Sequence, residues 1–207
     1  MQLTYELDSP EVLALSAADP RLGELVRAVG PVGIDNDHDM FASLARAITG
    51  QQLSTKAAAT IWGRLVDGGF TSPGAVLSAG RDELRARGLS RAKAAYLADL
   101  AAHVIGGTLV EAELRALGDD EVVDAVTRVK GIGRWTAEMF LIFSLGRSDV
   151  LAIDDAGLLR AAGWLLDLQG RAATAAELDE AGKAWHPYRS VASLYLWAAL
   201  DRGLVSR

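Results

Sequence analysis

The stretch Val129-Lys130-Gly131-Ile132-Gly133-Arg134-Trp135-Thr136-Ala137 has residue types and spacing that could do chemistry. One apolar helical pattern ends at Val129, two glycines flank a single apolar residue, and a second helical pattern starts near Arg134. Glycine admits positive φ and puts no Cβ between the backbone and whatever approaches it. The first N–H groups of the following helix lack intrahelical acceptors. Together these features make an anion site from backbone alone, suited to a phosphodiester and blind to base sequence. An ordinary tight turn with glycine caps accounts for the same pattern. Asp154-Asp155, ahead of a helical pattern over residues 156–166, is a second such feature. It reads either as capping aspartates or as a fixed carboxylate. Tryptophans stand at 62, 135, 164, 185 and 197. Trp62, Trp164 and Trp185 have the apolar neighbours of core residues, whereas Trp135 follows a polar turn.

Val129 to Ala137 resembles the helix-hairpin-helix of the HhH-GPD superfamily of DNA glycosylases, and most of all its 3-methyladenine DNA glycosylase II branch. Three more blocks match in order: Ile48-Thr49-Gly50-Gln51-Gln52-Leu53-Ser54; Asp149-Val150-Leu151-Ala152-Ile153-Asp154-Asp155; and Trp185-His186-Pro187-Tyr188-Arg189-Ser190 with Tyr195-Leu196-Trp197. The likeness runs from about residue 40 to 200. It implies an all-α fold of two helical lobes with an active-site cleft between them, the hairpin falling at about residues 119–145. It also implies one glycosylase domain over 1–207, without the N-terminal sheet domain of longer relatives.

The resemblance further implies roles, residue by residue. Asp155, twenty positions after Trp135, falls on the catalytic aspartate, and Asp154 on its acidic neighbour. Gly131, Gly133 and Thr136 match backbone contacts to a DNA phosphate. Trp135 and Trp197 match walls of the base pocket, and Met139 stands where the family carries a tyrosine. Gln52 matches the residue that fills the gap left by a flipped base, while a locally bonded cap glutamine reads equally well. Gln51 is read as structural. Arg189 matches a supporting residue of the catalytic segment, and a surface ion pair is its alternative. Main-chain carbonyls of Thr127, Val129 and Ile132 match a monovalent cation site for sodium or potassium; no cofactor is otherwise expected. Bifunctional relatives carry a Schiff-base lysine where this chain has Trp135, so no lyase activity is expected. Many relatives have proline where Lys130 stands, and a lysine there is expected to loosen the turn.

The chemistry implied needs one carboxylate. An N-alkylated purine is already cationic and leaves without much help from an acid; what needs stabilising is positive charge at the deoxyribose C1′. The expected substrate is double-stranded DNA bearing 3-methyladenine and related lesions. Three rivals stay open: a non-catalytic helix-hairpin-helix DNA-binding protein, a glycosylase for oxidised or mismatched bases, and an all-α protein-interaction module.

Helices must position all of this. Asp19-Pro20 and Ser72-Pro73 are helix starts, and Ser90 opens a run with Ala94, Leu97, Leu100, Ala101 and Val104 on one face. Asp119 or Asp120 opens another, Thr174 with Glu177 makes a capping box, and residues 187–200 carry Val191, Leu194, Tyr195 and Ala198 on one stripe. Nine to eleven helices are expected. Only Leu3, Tyr5 and Leu7 alternate, too little for a sheet. At 207 residues and 50% hydrophobic content, the chain has ample material for a core. The absence of cysteine excludes disulfides, thiolate zinc sites and cysteine-ligated iron–sulfur clusters. Three histidines, at 38, 103 and 186, leave little for a histidine metal site. A net charge of −6 excludes a bulk polycation, so a basic DNA face must be local, and Lys56, Arg91, Lys93, Lys130 and Arg134 are its candidates. No targeting segment or membrane span is legible, which leads to the expectation of a monomeric cytoplasmic protein with no membrane partner.

Overall fold

The computed structural model describes residues 2–35 and 39–205; His38 lies outside them. In chain order the elements are β1 (Gln2–Tyr5), α1 (Pro10–Ala18), α2 (Pro20–Val29), β2 (Val32–Asp35), α3 (Met40–Gly50), α4 (Thr55–Asp67) and α5 (Pro73–Ala86). They continue with α6 (Arg91–Ile105), α7 (Glu111–Ala116), α8 (Asp119–Val126), α9 (Arg134–Phe143), α10 (Ala156–Leu165), α11 (Ala175–Gly182) and α12 (Arg189–Asp201). Twelve helices thus lie among the described residues. The fold is helical, as the sequence implies, with more helices than the nine to eleven expected and a small sheet where none was expected. β1 and β2 form a two-stranded antiparallel ribbon with Leu3 opposite Ile34 and Tyr5 opposite Val32. The ribbon does not stand alone: Tyr5 and Ile34 are buried, and β2 packs against α12.

The helix starts follow the predicted chemistry. Asp19 caps α2 through the amides of Arg21 and Leu22, and Ser54, Ser72 and Ser90 cap α4, α5 and α6. Thr174 and Glu177 form the expected reciprocal box at α11. α8 stops at Val126, three residues short of the expected end at Val129.

The chain divides into two compact units. One comprises residues 1–37 and 141–207. Its core takes Val12 and Leu15 from α1, Leu22, Leu25, Val26 and Val29 from α2, and Val191, Tyr195 and Leu196 from α12. Trp185 is fully buried there, its indole N–H donating to Asp19 at 3.2 Å. Trp164 is only half-buried, in contrast to the core role expected for it. The other unit, residues 38–140, builds its core from Phe41, Leu44 and Ile48 of α3, Leu65 of α4, Val76 and Leu84 of α5, and Leu97 and Leu100 of α6. Trp62 is likewise half-buried rather than core. α9 belongs to both, running from the 38–140 unit into the other.

Candidate active site

The hairpin between α8 and α9 is built from short backbone bonds. Val129 N–H donates to the Val126 carbonyl at 3.2 Å and Ile132 N–H to the Val129 carbonyl at 3.1 Å. Val129 and Ile132 are buried and pin the turn from beneath, leaving Gly131 and Gly133 exposed. The two glycines have different reasons. Gly131 has φ +83°, and a Cβ there would lie 2.2 Å from the Tyr96 ring. A Cβ at Gly133 would meet nothing within 4 Å. Nothing inside the fold demands glycine at 133, so the bare backbone there suits a ligand from outside. The first α9 rung runs from Ala137 N–H to the Gly133 carbonyl at 3.1 Å, and the amides before it fall ahead of the helical ladder. Thr136 is among them; its side chain is buried, so only its backbone can serve.

Lys130 does not loosen the turn. Its amide donates to Asp99 Oδ2 at 2.9 Å, a bond proline could not make, and its ammonium meets Oδ1 at 3.2 Å. Burial pushes the Asp99 carboxyl up, but the bonds from Lys130 outweigh it and hold it below the ordinary carboxylate value.

The turn between α3 and α4 is tied to this hairpin. Gln51 Nε2 donates to the Gly131 carbonyl at 2.7 Å, giving Gln51 the structural role expected of it. Gln52, the expected wedge, has φ +56° and an exposed side chain. It makes no hydrogen bond among the described residues, which removes the local-cap reading. Lys93 corrects the sequence reading. Its ammonium points inward and donates to the Thr49 and Gln51 carbonyls at 2.9 and 2.6 Å, and burial lowers its pKa. It fastens the α3 C-terminus, whose last carbonyls have no helical donors, instead of facing DNA. Arg134 is also engaged, with Glu138 at 2.9 Å and Asp120 at 3.7 Å. Of the five expected basic residues, Lys56 and Arg91 keep exposed side chains with no acidic partner among the described residues.

The carboxylate lies in the other unit. Asp155 is the N-cap of α10, its Oδ1 accepting from Leu158 N–H at 2.7 Å and from Trp197 Nε1–H at 3.1 Å. Both readings of this residue therefore hold at once: it caps the helix, and it is a half-buried carboxylate held from two sides. Asp154 is exposed and makes no side-chain hydrogen bond or ion pair among the described residues. The segment leading to Asp155 is clamped to the start of α12. Ser190 Oγ accepts from Val150 N–H at 2.9 Å and donates to the Val150 carbonyl at 3.2 Å. Arg189 grips Asp149 with Nε at 2.8 Å and Nη2 at 2.9 Å, and Nη2 also reaches the Asp149 carbonyl at 2.8 Å. That is a half-buried bidentate brace rather than a surface pair. His186 Nδ1 lies 2.7 Å from the same carboxylate. Burial pushes Asp149 up, yet its bonds with Arg189 and His186 leave its pKa below the ordinary value.

Trp197 is half-buried, and its ring lies 5.6 Å from that of Phe143 at an interplanar angle of 32°. Sequence reasoning missed Phe143. A groove of about 520 Å³ beside them is bounded by Pro31, Val32, Gly33, Phe143, Trp197 and Ala198. Trp135, 48% exposed, and half-buried Met139 precede Phe143 on α9 at intervals of four residues, hence on one stripe. That spacing is the signal that could have found Phe143. The structure thus brings Gln52, Gly131, Gly133, Trp135, Thr136 and Met139 into one unit, and Asp154, Asp155, Arg189 and Trp197 into the other.

The family model of the HhH-GPD superfamily base excision DNA repair proteins matches residues 45–187. This chain belongs to the HhH-GPD superfamily. Within the superfamily, DNA-3-methyladenine glycosylase 1 of Schizosaccharomyces pombe is 33% identical over 191 residues, covering 88% of this chain and 83% of that protein. The solved DNA-3-methyladenine glycosidase from Bacillus halodurans superposes with a TM-score of 0.88 at 41% identity, covering 97% of this chain and 94% of that one. The S. pombe 3-methyladenine DNA glycosylase in complex with abasic DNA gives a TM-score of 0.84 at 30% identity, covering 93% and 97%. The HhH-GPD match spans the α3–α4 turn, the hairpin and Asp155.

Proposed function

We propose that this protein is a monofunctional DNA glycosylase that hydrolyses the N-glycosidic bond of alkylated purines, 3-methyladenine and related bases, in double-stranded DNA. The observation that carries the reading is Asp155, a carboxylate fixed by Leu158 N–H and Trp197 Nε1–H at the head of α10 in a superfamily member. The hairpin amides around Gly131, Gly133 and Thr136 receive a backbone phosphate. Gln52, exposed at a turn tip and locked to the hairpin through Gln51, fills the space of the extruded nucleotide. Trp135, Met139 and Trp197 supply the aromatic and thioether surface against which a cationic base stacks.

In the reaction the C1′–N bond breaks and its electron pair neutralises the positive ring, so the base leaves uncharged. Asp155 stabilises the cationic sugar carbon and accepts or directs the proton lost by the water whose oxygen bonds to C1′. Arg189, Asp149 and Ser190 hold the segment on which this aspartate sits. With Trp135 in the hairpin, no lysine stands ready to form a Schiff base there, and the product is an intact abasic strand. The carbonyls of Thr127, Val129 and Ile132 fit a monovalent cation in donor type, Val129 sharing its oxygen with Ile132 N–H at 3.1 Å. A cation there stiffens the turn.

The test is base release from methylated DNA by wild type and Asp155→Asn, with duplex binding measured alongside. Release lost and binding kept is the expected result, with no strand cleavage from either protein. Equal release by the variant overturns the assignment of Asp155, and strong release of 8-oxoguanine without 3-methyladenine overturns the substrate class.

A further inference from the structure

A basic groove in the 38–140 unit lies outside the hairpin and the Asp155 site, and of its lining only Arg91 is among the five basic residues expected to face DNA. Arg81, Asp82 and Arg85 of α5 and Arg91, Ala92 and Ala95 of α6 enclose about 580 Å³. Gly80, with φ 74° and ψ 167°, breaks α5 immediately before Arg81, so Arg81 leads a fresh helical segment at the groove's edge. Arg85 meets Asp82 at 3.3 Å across highly exposed side chains, a pair weak enough to exchange partners. Arg81 and Arg91 are exposed and have no acidic partner among the described residues. Residues 81–93 hold five basic and two acidic side chains in a protein whose net charge is −6. Guanidinium groups gathered around one depression repel each other unless an anion lies between them.

We propose that this groove is a second phosphodiester site, gripping the DNA backbone at a point separate from the hairpin; the inference rests on the DNA glycosylase reading. The lining selects the class of ligand. It offers forked guanidinium donors for phosphate, no aromatic face for a base and small alanine side chains beside the arginines, and its one acceptor side chain, Asp82, is paired with Arg85. Placement selects duplex DNA over a free anion. Along α6, Arg91 borders the groove, Lys93 holds the carbonyls of the Gln52 turn, and Tyr96 abuts Gly131 of the hairpin. Arg91 and Tyr96 are five residues apart, roughly 7.5 Å along the helix axis, so one rigid rod ties the groove to both DNA-contacting turns.

The experiment measures affinity for a short unmodified duplex against sodium chloride concentration for wild type, Arg81→Ala, Arg91→Ala, the double variant and Arg27→Ala. Arg27 is an exposed arginine of α2 in the other unit and controls for loss of charge alone. Each phosphate contact contributes about 0.9 to the slope of log affinity against log salt. The double variant is expected to bind more weakly at low salt with a slope shallower by about 1 to 2, while Arg27→Ala keeps the wild-type slope. A double variant with the wild-type slope overturns the groove while leaving the hairpin site intact. A wild type that binds no duplex at low salt overturns the DNA-binding reading itself, and the groove with it.

Discussion

Asp155 performs two tasks through one oxygen, and substitutions separate them. Oδ1 caps α10 through Leu158 N–H and receives the Trp197 indole N–H. Asparagine keeps a side-chain oxygen for the cap, so Asp155→Asn should match wild-type stability within about 0.5 kcal/mol while losing base release. Alanine removes the cap as well, and Asp155→Ala should cost about 1 kcal/mol more in urea unfolding. Trp197→Phe keeps a ring against Phe143 but deletes the donor. A hydrogen bond to a charged group is worth roughly 1.5–3 kcal/mol, so its single-turnover rate should fall about 10- to 100-fold with duplex affinity nearly unchanged. An unaltered rate would show that the indole N–H does not set the carboxylate's position.

At the scale of elements, the hairpin distinguishes a glycine required by the fold from one available to a ligand. Gly131→Ala must relieve a 2.2 Å overlap with Tyr96 at a positive φ, and should cost at least about 1–3 kcal/mol along with DNA affinity. Gly133→Ala meets no neighbour, so its melting temperature should stay near wild type while its duplex affinity drops; the reverse order in a thermal melt paired with a binding assay would contradict the assignment. Helix starts were legible because their signals are local: Asp19, Ser72, Ser90 and Thr174 each cap a helix with a side chain beside it in sequence. The ribbon was not legible because its pairing joins residues some thirty apart, and in Val32–Asp35 Gly33 interrupts any alternating pattern. The site divides in the same way. Its glycines and the Asp154-Asp155 pair fit an ordinary turn and a helix cap by type and spacing alone, and the family resemblance is what marked Asp155, Trp135 and Trp197; Phe143 closes an apolar run and looks like core. Lys93 looks like surface until the carbonyls of Thr49 and Gln51, more than forty positions away, draw its ammonium inward.

At the scale of the whole molecule, charge is unevenly placed. The 38–140 unit holds twelve basic and twelve acidic residues, so the entire excess of −6 lies in the unit carrying Asp155. That unit also contains Asp19 and Asp149, two aspartates whose bonded partners hold their pKa values below the ordinary one. A carboxyl depressed in the folded state binds fewer protons there than in the unfolded chain. Its stabilisation is therefore complete above the unfolded value of about 3.9 and is lost as pH falls through the lower folded value. Glu177 is depressed further, to about 2, by its forked pairing with Arg171. Both partners are more exposed than Arg189 and Asp149, however, and solvent screens that pair. The larger shift should thus have the smaller consequence. Urea unfolding across a series of acidic pH values should show Asp149→Asn less stable than wild type at neutrality and converging with it in acid. Glu177→Gln should instead track the wild-type curve throughout. If Asp149→Asn runs parallel to wild type down the acid limb, the Arg189–Asp149 clamp is not what fails in acid.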